Sequence, residues 1–187
     1  PYVQSRELKE ALILLSHAQC LYKVCHTAAN GLPLEAEMNE RRFKIVFLDV
    51  GLMQNALGLD AKLMFERDLM PINAGAVVEQ FVGQELLACQ DPYLDKKLFF
   101  WNREQRGSTS EVDYVISVDS RPIPVEVKAG KRGALRSMRV FLDKHPDCPF
   151  GIRYSTHELS YYEKILSIPL YMINETVSLC RSFIGNI

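Results

Sequence analysis

Residues 111–128 constrain this chain more than any other stretch. Glu111-Val112-Asp113-Tyr114-Val115-Ile116-Ser117-Val118 and Ile123-Pro124-Val125-Glu126-Val127-Lys128 alternate and are rich in Val, Ile and Tyr, the pattern of two β-strands. Asp119-Ser120-Arg121-Pro122 between them is turn chemistry. Side chains on a strand alternate faces, so Glu111 and Asp113 are expected on one face, and Glu126 and Lys128 on one face. Pairing the strands as a hairpin brings three carboxylates and one ammonium together beside a Val/Ile core. Burying acids there is costly unless they are paired or bind a metal. The hairpin therefore predicts a site as well as a fold.

Around it the pattern is helix and strand in turn. Leu8, Ala11, Leu12, Leu15 and Ala18 make an apolar stripe on a helix over 7–18. Strands follow at 21–28 and 43–48, with a turn at Asn30-Gly31-Leu32-Pro33 and a polar segment over 35–42. Asp49 is placed to cap a helix over 51–57 that Gly58 ends. Residues 59–72 read as a short helix and connector stopped by Pro71, and Asn73 as the cap of a long helix over 74–89 carrying Glu79. A strand over 97–102 precedes the hairpin, and a basic loop over 129–133 follows it. A helix over 134–144, strands over 149–154 and 162–168 and a closing helix over 170–183 complete the chain. Three strands with short links predict an antiparallel meander, and the helix after the third permits a parallel crossover to the fourth. The first helix and its two strands match the end of a winged-helix unit, or equally a helix-and-hairpin extension of the main domain.

Length and composition set bounds. At 187 residues the chain suits one domain or one and a half, and 48% hydrophobic residues supply a core. No apolar run is long enough for a transmembrane helix, and the polar start Pro1-Tyr2-Val3-Gln4-Ser5-Arg6 is no secretory signal. The lack of an initiator Met suggests a fragment or a processed product. Five scattered cysteines without a C-x-x-C pair fit reduced thiols and a cytoplasmic location. His17, Cys20, Cys25 and His26 match no common zinc spacing. The formal charge of −1 gives no global pull on nucleic acid, but residues 121–153 hold eight Arg or Lys against three acids. Lys131, Arg132, Arg136 and Arg139 in that stretch are the candidate phosphate contacts; a solvated helix face is the competing explanation.

The residue types suit one chemistry. Mg²⁺ (or Mn²⁺) takes oxygen ligands and keeps several waters. Asp113 and Glu126 can supply two carboxylates, the Val127 carbonyl another oxygen, and Glu79 a third carboxylate from its helix. The cation activates water for attack on a phosphodiester, while Lys128 orients that water and balances charge. Glu111 is expected in solvent or paired with Arg103.

Asp113, twelve intervening residues, then Glu126-Val127-Lys128, preceded by Glu79 on a helix, resembles the PD-(D/E)XK nuclease superfamily. A broader resemblance, through Phe47-Leu48-Asp49-Val50-Gly51-Leu52, Glu79, Phe99-Phe100-Trp101-Asn102-Arg103, Glu111-Val112-Asp113-Tyr114 and Pro124-Val125-Glu126-Val127-Lys128-Ala129-Gly130, is to the uncharacterised C-terminal domain of prokaryotic AAA-type ATPases. It implies an α/β fold with a restriction-endonuclease-like mixed sheet flanked by helices. Residues 1–58 would form a partial winged-helix-like segment and connector, and residues 59–187 the nuclease-like domain. DNA and an upstream ATPase of the same parent chain are the implied partners, with metal-dependent DNA cleavage, or non-catalytic binding of DNA or protein, as the implied role. This chain itself has no G-x-x-x-x-G-K-[ST] loop for ATP and no G-x-S-x-G elbow. Oligomeric state, preferred DNA structure and cleavage polarity are not written in it.

Overall fold

A computed structural model describes residues 5–58, 70–103, 110–128 and 135–185. In chain order it contains α1 (Ser5–His17), β1 (Leu21–Thr27), a 3₁₀ turn (Leu34–Glu37), β2 (Met38–Phe47), α2 (Val50–Ala56) and α3 (Met70–Ala88). Next come β3 (Leu98–Asn102), β4 (Glu111–Val118), β5 (Arg121–Val127), α4 (Arg136–Lys144) and β6 (Gly151–Ser155). The chain continues through β7 (Ser160–Tyr162), β8 (Ile165–Pro169), a 3₁₀ segment (Leu170–Glu175) and α5 (Thr176–Ile184). The eight strands form one mixed sheet in the order β2-β1-β3-β4-β5-β6-β8-β7, an α/β architecture with helices packed against it. Among the described residues, no helix is long and apolar enough to cross a membrane.

The meander and crossover are as expected: β3–β4 and β4–β5 are antiparallel, and β5 pairs parallel with β6 after α4. The N-terminal helix and hairpin, read from sequence either as the end of a winged-helix unit or as a helix-and-hairpin extension of the main domain, add two strands to the same sheet, because β1 pairs parallel with β3. Nor does the apolar stripe of α1 find much cover: Leu8 and Leu15 stay exposed. Helix α3 begins at Met70, so Asn73 lies inside its first turn and not at the cap position, while Pro71 sits where a missing N–H costs little. Asp49 does cap α2, its carboxylate accepting the Leu52 N–H at 2.8 Å, and Gly58 beyond it has φ +67°.

The core has two parts. Val82, Leu86 and Leu87 of α3, with Ile173 and Cys180 from the C-terminal segment, pack on Val24, Phe100, Tyr114, Val125, Ile152 and their neighbours. Phe141 of α4 covers Phe99, Trp101, Val112 and Val115 in the second cluster. Two contacts fix α3 over the sheet and so place Glu79. Gln80, buried, accepts the Phe47 N–H at 3.0 Å and donates to the Phe47 carbonyl at 2.9 Å, pairing backbone groups on edge strand β2. The Tyr114 hydroxyl donates to the Glu79 carbonyl at 2.8 Å, and Gly83, one turn on, leaves room for that ring.

A Cβ at Gly83 would lie 2.5 Å from the Tyr114 hydroxyl and 2.9 Å from a Val46 methyl. Two effects therefore oppose each other in Gly83→Ala: better helix propensity, worth about 1 kcal/mol, and overpacking, costing about 1–3 kcal/mol. Both neighbours are buried in the core, so overpacking wins. Urea unfolding should show a net loss for Gly83→Ala; a gain would mean that α3 does not approach Tyr114 this closely.

Candidate functional site

The site is created by a break in the β-ladder. On β3 and β4, Phe99 pairs with Val115 but Trp101 with Val112, which inserts an extra residue into β4 at 113–114. That bulge disrupts the simple alternation expected from Glu111 to Asp113. Between β4 and β5 the register runs from Val118–Arg121 up to Tyr114–Val125. Beyond that point the Asp113 carboxylate accepts the Val127 N–H at 2.7 Å in place of a backbone carbonyl.

Along β5, Ile123, Val125 and Val127 belong to the core beneath α3, and Glu126 alternates away from them. Its carboxylate still lies in the field of Glu79 and Lys44, and it acts in turn on Asp113. Glu126 is buried: Oε1 accepts the Lys128 ammonium at 2.6 Å, whereas Oε2 has no hydrogen-bond partner among the described residues. The expected acids thus gather around the end of the sheet. Glu111 stays exposed, one of the two states expected of it, and its partner is Lys44 where Arg103 was the alternative.

Lys44 of β2 is the group that sequence reasoning missed. Its Nζ lies 3.0 Å from Glu79 Oε1 and 3.1 Å from Glu111 Oε1, over the faces of Phe100 and Tyr114. Burial alone would lower the pKa of this ammonium, but Glu79, Glu111 and Asp113 outweigh it and raise it. The Asp113 carboxyl is pushed up to about 7 by burial, then by Glu126 and Glu79, against the Val127 N–H and Lys44. Burial also raises Glu126, opposed chiefly by Lys128.

A family described as a domain of unknown function (DUF4143) matches residues 74–172. The chain belongs to that family. The matched span of the DUF4143 chain holds Glu79, Glu111, Asp113, Glu126 and Lys128, but not Lys44. Two uncharacterized proteins, from Mycobacterium bovis and Mycobacterium tuberculosis, are each 29% identical to it over 137 residues, 72% of this chain and 29% of theirs. The DUF4143 chain therefore matches less than a third of the length of those curated relatives. No solved structure matches it.

The donor set of this candidate site limits what it can hold. Glu79, Glu111, Asp113 and Glu126 face Lys44 and Lys128, leaving a formal −2 when all are ionised. That residue of charge equals one divalent cation. Asp113 and Glu126 offer it two carboxylates, one with an unpartnered oxygen, which suits a Mg²⁺ that retains most of its waters. Glu79 does not stand ready as a third ligand, because Lys44 holds it. Among the described residues, no group of three or more His, Cys, Asp or Glu is arranged to hold a metal. Of the candidate phosphate contacts, Arg136 is exposed, Arg139 is ion-paired to Glu163 at 2.9 Å, and Lys131 and Arg132 lie outside the described residues.

Asp113 sets a pH dependence. Its folded pKa lies above the unfolded value of 3.8, so the folded state holds the proton more tightly. Stability contributed by that proton is complete below the unfolded pKa and is lost as pH rises through about 7, by up to about 4 kcal/mol. Glu126 is shifted in the same direction. Asn at 113 keeps an oxygen for the Val127 N–H and removes the charge. Urea midpoints between pH 4 and 9 should fall for the native chain and fall much less for Asp113→Asn; equal slopes would contradict the burial of this acid.

Proposed function

We propose that this chain is a restriction-endonuclease-like module that binds a divalent cation at Asp113 and Glu126 and hydrolyses DNA phosphodiesters there. One observation carries the reading: a buried carboxylate oxygen, Glu126 Oε2, has no hydrogen-bond partner among the described residues, beside an acid whose pKa is driven up by burial and then by its acidic neighbours. A pair of close, desolvated carboxyls is stabilised by a cation in a way that no packing change can replace. When bound, Mg²⁺ supplies polarisation of a phosphoryl oxygen and a lower pKa for water.

The chain's own residues divide the remaining work. Asp113 is locked by the Val127 N–H and Glu126 by the Lys128 ammonium, so both carboxylates are fixed before any cation arrives. Lys128, half-buried on the solvent side of Glu126, orients the attacking water and balances charge on the phosphate. The basic stretch over 121–153 is the part of the chain with the charge to attract a DNA backbone. The chain matches 29% of the length of its relatives, which leaves room there for further domains, and the resemblance assigns an ATPase to the upstream part of the parent chain.

Lys44 favours a second reading. By neutralising Glu79 and Glu111 it leaves a cluster that is partly compensated without metal. A module that binds DNA or a protein partner for the ATPase, without cleaving, needs no more than this.

Cleavage assays decide between them. Branched, single-stranded and duplex DNA are incubated with Mg²⁺ or Mn²⁺, using both this chain and its full-length parent. The nuclease reading expects cation-dependent cleavage that EDTA stops and that Lys128→Ala slows by about 100-fold or more. DNA retention without cleavage under every condition would support the binding module instead.

A further inference from the structure

The position of Lys44 has a consequence for how the site takes up its cation. This ammonium comes from β2, 35 residues before Glu79 and 67 before Glu111, and bridges carboxylates on α3 and β4. Half-buried over two aromatic faces, it stands in the same acid cluster that a divalent cation would enter. Glu79 faces two claimants: Lys44, which holds it now, and a cation at Asp113 and Glu126, whose field it already shares.

We infer that Lys44 is a built-in competitor for the cation: its ammonium holds Glu79 while the site is cation-free, and Glu79 joins the cation's shell only when Lys44 releases it. The inference rests on the cation site proposed above and adds the residue that sets its affinity. In this arrangement cation-free protein keeps α3, β2 and β4 tied together, and cation uptake exchanges one Glu79 bond for another. Weak cation binding follows from the site's own construction. Lys44 is a positioning residue, not a ligand.

Three variants test it. Lys44→Met removes the competing charge with little loss of length; Lys44→Arg keeps it and grips carboxylates in a two-pronged fork. Lys97→Met removes an exposed lysine paired with Glu35, a residue outside the acid cluster. Free Mn²⁺ is followed by electron paramagnetic resonance at constant ionic strength, and cation-free stability by urea unfolding. Lys44→Met should bind Mn²⁺ about tenfold more tightly, a shift of one decade in Kd, and be less stable without it. Lys44→Arg should bind more weakly than the native chain, and Lys97→Met equally well. Binding by Lys44→Met alone would also support the competition.

If the native chain binds Mn²⁺ and Lys44→Met binds no better, or Lys97→Met tightens binding as much, Lys44 is not the competitor and the cation site stands. Should Lys44→Met fail to fold, Lys44→Arg decides, since unchanged or tighter binding overturns the inference. Absence of Mn²⁺ binding in all four proteins overturns the cation site itself, and this inference with it.

Discussion

The bond from the Val127 N–H to the Asp113 carboxylate is the interaction on which this site depends. Past Tyr114 and Val125 it replaces a backbone rung with a side-chain one, and so lets β4 and β5 part without stranding the amide. The opening draws two carboxyls into one desolvated space. Burial raises the pKa of both carboxyls, Glu126 adds to the shift at Asp113, and the neighbouring ion pairs can be understood as a response. Lys128 answers Glu126 locally, from two residues on, just past the end of β5. Lys44 answers Glu79 and Glu111 from the sheet's edge.

Helix α3 converts that local problem into a three-element site. Tyr114 and Gly83 let the helix lie close to β4, and Gln80 clamps it to β2 through both backbone groups of Phe47. Glu79 is carried to the cluster by these contacts, which are themselves uncharged. The positioning apparatus is therefore separate from the electrostatics it serves, and a change of charge at the site need not unfold the helix that frames it.

Much of this was legible in the residues because it is local or periodic. The alternation of β4 and β5, the turn between them, the crossover helix and the Asp49 cap are all short-range patterns with a fixed physical cause. The site acids stood out for a similar reason, since charges inside Val- and Ile-rich strands are anomalous. What escaped is long-range. The polar run over residues 39–42 hid the first half of β2, because an edge strand exposed to water shows no apolar signature. Lys44 lay within a strand whose neighbours across the fold could not be known. The hairpin turn at Glu163-Lys164, with φ of 48° and 60°, lacks the Gly or Asn that normally marks one. The bulge at 113–114, in the ladder between β3 and β4, has no sequence mark at all.

A carbon-detected NMR titration of the Asp113 carboxyl, without and with Mg²⁺, tests the central claim most directly. A buried acid beside Glu126 and Glu79 should titrate near 7 in the cation-free protein, and Mg²⁺ should drive that midpoint down by several units. An ordinary carboxylate midpoint that Mg²⁺ leaves unmoved would contradict it, because no desolvated acid pair would then await a cation at the end of this sheet.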